Sequence, residues 1–229
     1  MKNILFGILF LGFGIFSNAQ SSLPKNVSDS LWRVWSDTSK PDTLRLKAIN
    51  KFIESGYLRT QPDSAFYFAQ LQYSFAEQRG LKRQMADALH TQGSCFSSKS
   101  EYAAALFYFN QSLRINEEIG NKNGVARTLG NIGNVYSNLG DYEKTIDYYS
   151  QSLILLQELG DKKGISFLLN NFGNVFLAYG DYVKALDYFL QSLKIKEELN
   201  DPLGIANSLN NIGIIYRGQG DYVRALEYY

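Results

Sequence analysis

The 229-residue chain carries 23 basic and 22 acidic side chains and a single cysteine, Cys95. A charge balance near zero disfavours nucleic acid and anionic membrane surfaces as partners, because both attract strongly basic proteins. With only one cysteine, no disulfide bond can form within the chain.

The chain begins with the pattern of a secretory signal peptide. Lys2 precedes an apolar run from Ile4 to Phe16, and small residues follow at Ser17 and Ala19. The run is about 13 residues, shorter than the roughly 20 that a membrane-spanning helix needs. Cleavage after Ala19 is therefore favoured over an uncleaved anchor. We predict that residues 1–19 are a signal peptide and that the chain is exported to the periplasm or another extracytoplasmic compartment.

The segment that follows, residues 20–42, is predicted to hold one short helix. The stretch "DSLWRVWS", Asp29 to Ser36, places Leu31, Trp32 and Trp35 where one helical face can carry all three. We expect this helix to cover the apolar end of the structure that comes after it.

Residues 43–229 repeat with a period of 40 residues. The glycines that mark the period are Gly93, Gly133, Gly173 and Gly213. A fixed period of this size is typical of stacked helical repeats. Each repeat reads as two amphipathic helices, giving four helix pairs and an incomplete fifth. The predicted helices are 43–57, 63–79, 83–98, 101–119, 122–138, 141–159, 161–178, 181–199 and 201–218, with a last one starting at Asp221.

Residues typical of helix ends and helix starts lie between the predicted helices. Gly180 and Asn200 fall where a left-handed residue ends a helix, and Pro202 falls in a first helical turn, where a missing N–H costs nothing. Aspartates stand where a side chain can accept a hydrogen bond from the first turn. The predicted N-caps are Asp42, Asp63, Asp181 and Asp201.

The repeating glycine is predicted to be structural. On a helical wheel of about 100° per residue, Gly173 lies inside the apolar stripe of its helix, where the missing side chain lets the partner helix approach closely. Cys95 aligns with Val135 and Val175 of later repeats, which predicts a small buried apolar residue. An aromatic ladder at the same spacing is expected to pack in the core. Its members are Phe109, Tyr149, Phe189 and Tyr229.

The recurring pattern resembles tetratricopeptide repeats of the longer, 40-residue kind. It reads "LxNIGNVYxxxGDYxKAxxYYxxSL" with small variations from Leu129 to Leu153 and again from Leu169 to Leu193. The family's small central residue corresponds to Gly173, and its second-helix alanine corresponds to Ala185. Thr145 departs from that alanine, and the repeats before Gly93 are degenerate.

The resemblance implies an all-α fold, a right-handed superhelical solenoid of antiparallel helix pairs. It also implies a protein interaction module whose first helices line a concave groove for a protein or peptide ligand. In bacterial relatives with a leader, such arrays often precede a membrane helix and an output domain of a signalling protein. The chain stops at Tyr229, within a helix, so we expect such a continuation, including a membrane anchor, beyond it. The alternative is a free-standing periplasmic assembly scaffold without an output domain.

Asparagines on the first helices have two interpretations. They tie one repeat to the next or stay solvated, or they line the groove, where amides suit the alternating N–H and C=O groups of an extended peptide. An uncharged groove would bind peptide backbone rather than a terminal carboxylate. Asn131, Asn171 and Asn211 lie further round the helices and are expected to be inter-repeat ties. The predicted groove residues are Arg127, Asn134, Asn170, Asn174, Asn207, Asn210 and Arg217.

The sequence argues against catalysis. His90 and Cys95 lie five residues apart, so on one helix they point in different directions and cannot act as base and nucleophile. No metal-ligand spacing, glycine-rich phosphate loop or nucleophile elbow is present in the sequence. We therefore expect no catalytic residue, no metal and no cofactor, and we expect the repeats themselves not to contact a membrane.

Overall fold

The computed structural model describes residues 24–58 and 60–229, which form eleven α-helices and no strand. The predicted signal peptide lies outside the described residues. The helices are α1 (Lys25–Ser36), α2 (Asp42–Gly56), α3 (Pro62–Glu77), α4 (Lys82–Ser98), α5 (Tyr102–Glu118), α6 (Lys122–Asn138), α7 (Tyr142–Leu159), α8 (Lys162–Tyr179), α9 (Tyr182–Glu198), α10 (Pro202–Gly218) and α11 (Tyr222–Tyr228). Among these residues, no helix is both long enough and apolar enough to cross a bilayer.

The described residues fall into two compact units, one ending at Ile119 and one running from Gly120 to Tyr229. The first contains α1–α5 and the second contains α6–α11. Within each unit, consecutive helices are joined by short turns and pack against each other, as in helical hairpins. The prediction of one continuous array over residues 43–229 stays a prediction.

The first unit has an aromatic core under α1. Trp35 is buried with Phe52, Phe68 and Phe75, and the rings of Trp35 and Phe75 lie 5.0 Å apart. Leu31 and Trp32 pack against the same cluster. The helix in this region begins at Lys25, four residues before the predicted start at Asp29.

Three kinds of contact recur in the helix pairs α4–α5, α6–α7 and α8–α9. Buried second-helix hydroxyls donate to first-helix carbonyls: Ser112 to Ala86, Ser152 to Ala126 and Ser192 to Ser166, at 2.7–2.8 Å. Lysines that begin first helices pair with glutamates that end second helices: Lys82 with Glu118, Lys122 with Glu158 and Lys162 with Glu198. Aromatic rings lie against the repeated glycines: Phe109 against Gly93, Tyr149 against Gly133 and Phe189 against Gly173.

The glycine prediction is therefore confirmed, and most of the aromatic ladder is too. Phe109, Tyr149 and Phe189 are buried, whereas Tyr229 is 57% exposed. Cys95 is also buried, as its alignment with the valines predicts.

Most of the predicted caps are confirmed. Gly180 and Asn200 have φ of 81° and 52°, and the carboxylates of Asp181 and Asp201 accept hydrogen bonds from the first turns of α9 and α10. The predictions for Asp42 and Asp63 were wrong, because α2 and α3 start one residue earlier. Pro41 is the residue before α2, and Pro62 opens α3 with its fixed φ. The two aspartates lie instead within the first turn of their helices.

The carboxylates of Asp42 and Asp63 do not cap a helix and form ion pairs within the first unit instead. Asp42 lies 2.6 Å from Nε of Arg79, and Asp63 lies 2.9 Å from Nζ of Lys99. Together with its contact to Glu101, the Asp63 pairing raises the pKa of Lys99 to about 12.

Candidate functional site

One face of α8 carries four side chains that do not belong to the core. Lys163, Phe167, Asn170 and Asn174 follow at intervals of four, three and four residues, which places them along one side of a helix. Asn170 is half-buried and the other three are exposed. Phe167 is 61% exposed.

The 40-residue period puts equivalent positions on the neighbouring first helices α6 and α10. All of these positions are exposed or half-buried. We call the whole set the first-helix stripe. It consists of Asn123, Arg127, Gly130 and Asn134 on α6, Lys163, Phe167, Asn170 and Asn174 on α8, and Leu203, Asn207, Asn210 and Ile214 on α10.

Asn134 is hydrogen-bonded to three other side chains of the second unit. Its Oδ1 accepts hydrogen bonds from the Tyr149 hydroxyl at 2.5 Å and from Nδ2 of Asn171 at 3.1 Å. Its own Nδ2 donates to Oδ1 of Asn131 at 3.2 Å. Because Asn171 belongs to the next repeat, Asn134 links α6 to α8 as well as to its partner helix α7.

Asn170 makes an equivalent link between the next two repeats. Its Oδ1 accepts hydrogen bonds from Nδ2 of Asn211 on α10 at 3.2 Å and from Nζ of Lys196 on α9 at 3.4 Å. Asn171 and Asn211 are thus inter-repeat ties, as predicted. Asn134 and Asn170, which were predicted to line a groove, also belong to these ties.

Lys196 is a cation beneath the stripe. It is 7% exposed, and its Nζ donates to Oγ of Ser208 at 2.8 Å as well as to Asn170. Burial lowers its pKa, and the nearby charge of Asp201 acts in the opposite direction. At the equivalent position of the preceding repeat stands Leu156, which is also buried, so this repeat has a cation where the preceding one has an apolar side chain.

The other predicted groove residues lie on the surface of the second unit. Asn174, Asn207 and Asn210 are exposed, and their amides have no hydrogen-bond partner among the described residues. Arg127 lies on the stripe itself. Arg217 lies two helical turns after Asn210 and is exposed as well. The structure therefore brings the predicted residues onto one side of α6, α8 and α10.

Sequence reasoning missed two residues on this surface. Phe167 and Leu203 are 61% and 72% exposed, and both belong to the stripe. Neither recurs in the other repeats: the column that contains Phe167 has Asp87, Arg127 and Asn207 in the other first helices. A departure from the repeat consensus toward a large apolar residue is the signal that could have identified Phe167.

His90 and Cys95 do not form a reactive pair. The His90 ring packs against Phe109, with ring centroids 5.4 Å apart. Burial raises the pKa of the Cys95 thiol to about 12, so the nucleophilic thiolate is scarce at neutral pH. Among the described residues, no group of three or more His, Cys, Asp or Glu side chains is arranged to hold a metal ion.

Models of one protein family match the chain in three places. All three carry the description tetratricopeptide repeat, and they match residues 86–119, 124–198 and 205–229. Together the three matches cover more than half of the chain. No curated protein sequence matches it.

Solved structures show the same fold at low sequence identity. BtubC (BKLC) from P. vanneervenii has a TM-score of 0.75 at 17% identity, covering 89% of this chain and 87% of its own. A Rap protein complexed with competence and sporulation factor has a TM-score of 0.72 at 13% identity, covering 90% and 69%. The Rap conjugation gene regulator of plasmid pLS20, in complex with the Phr* peptide, has a TM-score of 0.68 at 13% identity, covering 90% and 54%.

Three observations agree with the predicted all-α, solenoid-type fold class. They are the repeated helix pairs, the glycines that lie under aromatic rings, and the three matching family models. The chain belongs to the tetratricopeptide repeat family.

Proposed function

We propose that this chain is a non-catalytic repeat scaffold that binds an extended peptide segment along the first-helix stripe of residues 120–229. The observation that carries the proposal is the stripe itself. It crosses three successive first helices and combines solvent-accessible amides with the exposed ring of Phe167. Protein interfaces typically combine an apolar centre with a polar rim.

Two solved neighbours support a peptide or protein as the ligand. One Rap protein is complexed with competence and sporulation factor, and the pLS20 regulator is complexed with the Phr* peptide. The chain spans only 54% of the pLS20 regulator, so the activity of that whole protein is not carried over.

The finer role that we propose is the extracytoplasmic sensing region of a bacterial signal-transduction protein. It is supported by the leader-like residues 1–19 and by the family's use of such arrays in front of output domains. A free-standing periplasmic scaffold is the second candidate. Reading the gene beyond the codon for Tyr229 distinguishes the two, because only the first requires a membrane helix and an output domain.

Selection from a displayed library of random 12-residue peptides tests the binding function. The purified chain is immobilised, and enriched peptides are titrated by calorimetry against the wild type and a Phe167→Ala/Asn174→Ala double variant. We expect the double variant to bind at least tenfold more weakly with unchanged helical content. A library that yields no enriched peptide, or peptides that bind both proteins equally, would overturn the proposal.

Export is tested separately with a reporter. Residues 1–42 are fused to an alkaline phosphatase that lacks its own leader and is active only outside the cytoplasm. We expect activity from this fusion and none from a fusion that starts at residue 20. Equal inactivity of both fusions would remove the extracytoplasmic assignment.

A further inference from the structure

Acidic side chains are unevenly distributed between the first and second helices of the second unit. The first helices α6, α8 and α10 contain no Asp or Glu. Every acidic residue from 120 to 229 lies instead on a second helix or at an N-cap. The N-cap carboxylates of Asp161 and Asp201 accept hydrogen bonds from the backbone of their own helices. The first-helix stripe therefore presents no carboxylate to a ligand.

The amides of the inter-repeat ties retain N–H groups that the ties themselves do not use. Oδ1 of Asn134 and Oδ1 of Asn170 each already accept two hydrogen bonds, which fills both lone pairs of an amide oxygen. The Nδ2 group of Asn170 makes no hydrogen bond within the described residues, and that of Asn134 uses one of its two hydrogens. These two positions thus offer N–H groups and call for acceptors.

Positive charge lies on and under the same surface. Lys163 is exposed and has no ion-pair partner among the described residues, whereas its neighbour Lys162 is paired with Glu198. Arg217 adds an exposed guanidinium group on α10. Beneath Asn170, the buried ammonium of Lys196 donates to the neutral oxygens of Asn170 and Ser208. A positive surface without carboxylates favours a negatively charged partner.

We propose that the ligand of the stripe is an acidic extended peptide segment, with internal Asp or Glu side chains next to an apolar side chain that contacts Phe167 and Leu203. This inference rests on the proposed peptide-binding function and specifies its ligand. Backbone carbonyls and carboxylates of such a segment supply acceptors for the amide donors and negative charge for Lys163 and Arg217. Nucleic acid is the less favoured polyanion, because acidic residues outnumber basic ones in residues 120–229.

The charge of selected peptides tests the inference. The library is displayed with its carboxyl end fused to the carrier, so no free terminal carboxylate is available to the chain. We expect the enriched peptides to be rich in Asp and Glu and poor in Lys and Arg. Enrichment of neutral or basic peptides overturns the acidic ligand but leaves peptide binding intact, whereas no enrichment removes both proposals.

Charge-reversal variants locate the contact. Against one synthetic, end-blocked acidic peptide from the selection, Lys163→Glu is expected to weaken binding by about five- to tenfold at low salt. Lys194→Glu on the second helix α9 is the matched control, since Lys194 is also exposed, and we expect less than about a twofold change. Equal effects of the two variants, or tighter binding of a 20-nucleotide single-stranded DNA than of the peptide, would overturn the inference.

Phe167 is tested with a control of equal exposure. Phe107 in the first unit is also 61% exposed, but it lies on the second helix α5. Phe167→Ala is expected to weaken binding of the same peptide about tenfold, as for a central apolar contact, and Phe107→Ala to leave it unchanged. The reverse order of effects would show that the peptide does not lie on the stripe.

Discussion

The ring of Phe189 occupies the space that a side chain on Gly173 would need: a β-carbon there would lie 2.5 Å from Cε1 of the ring. Phe189 is fully buried, so its ring has little room to move away. Gly173→Ala gains about 1 kcal/mol in helix propensity but introduces overpacking that typically costs about 1–3 kcal/mol. We expect a net decrease of up to about 2 kcal/mol in the free energy of unfolding, measured by urea denaturation.

Gly130 provides the control for this substitution. It also lies within a first helix, but its nearest neighbour would be 3.6 Å from an added β-carbon, an ordinary contact. Gly130→Ala should therefore stabilise the chain, by up to about 1 kcal/mol. If both substitutions changed stability in the same direction, close packing at Gly173 would not be the reason for its recurrence.

The inter-repeat amide ties predict that two asparagines on α10 contribute differently to the free energy of unfolding. Asn211→Ala removes a hydrogen bond to Asn170, so we expect the free energy of unfolding to fall by about 0.5–1.5 kcal/mol. Asn207→Ala removes an exposed amide with no partner among the described residues and should change stability by less than about 0.5 kcal/mol. Equal losses would mean that the tie does not contribute to stability.

The Cys95 thiol is predicted to be unreactive in the folded protein. Its pKa of about 12, against an ordinary value of 9.0, reduces the thiolate fraction near pH 8 by about a thousandfold. Iodoacetamide at pH 8 should label the denatured chain within minutes and the native chain far more slowly. Native labelling as fast as in urea would contradict the burial of Cys95.

The raised pKa of the Cys95 thiol also makes the stability of the fold depend on pH. Because its pKa is raised on folding, the unfolded chain releases the proton first as the pH rises. The stabilisation is complete below about pH 9 and is lost progressively toward about pH 12. Cys95→Ala should weaken the decline of stability in that range, as measured by denaturant unfolding at several pH values. An unchanged pH profile in this variant would assign the decline to other groups.

The buried hydroxyl of Ser192 gives a further prediction. It donates to the carbonyl of Ser166 at 2.7 Å, so Ser192→Ala should lower the free energy of unfolding by about 0.5–1.5 kcal/mol. Ser150, which is half-buried and has no hydrogen-bond partner among the described residues, is the control. A Ser150→Ala variant as destabilised as Ser192→Ala would refute the assigned role of the hydroxyl.

Local sequence signals predicted the helices well, because each repeat carries its own boundary residues. The Gly180–Asp181 and Asn200–Asp201 pairs end one helix and begin the next by backbone conformation and side-chain capping alone. The errors at Asp42 and Asp63 arose where a proline competed with the aspartate for the start of the helix. Because the fixed φ of Pro62 suits a first helical turn, α3 begins at Pro62, one residue before Asp63.

The site was less predictable, because its contacts join different repeats. A helical wheel places Asn134 and Asn170 on an exposed side, but it contains no information on Asn171 and Asn211 in the following repeats. The cation of Lys196 was missed for a similar reason, since its partners lie on two other helices. The absence of Asp and Glu from α6, α8 and α10, by contrast, is visible in the sequence alone.

The amide ties also have a mechanical consequence. Asn134 and Asn170 hold neighbouring repeats together and belong to the surface that we assign to the ligand. A peptide that hydrogen-bonds these amides would therefore strain or reinforce the contacts that set the spacing between repeats, and would alter the bending stiffness of the unit. The same two amides would then contribute both to peptide binding and to the bending stiffness of the unit.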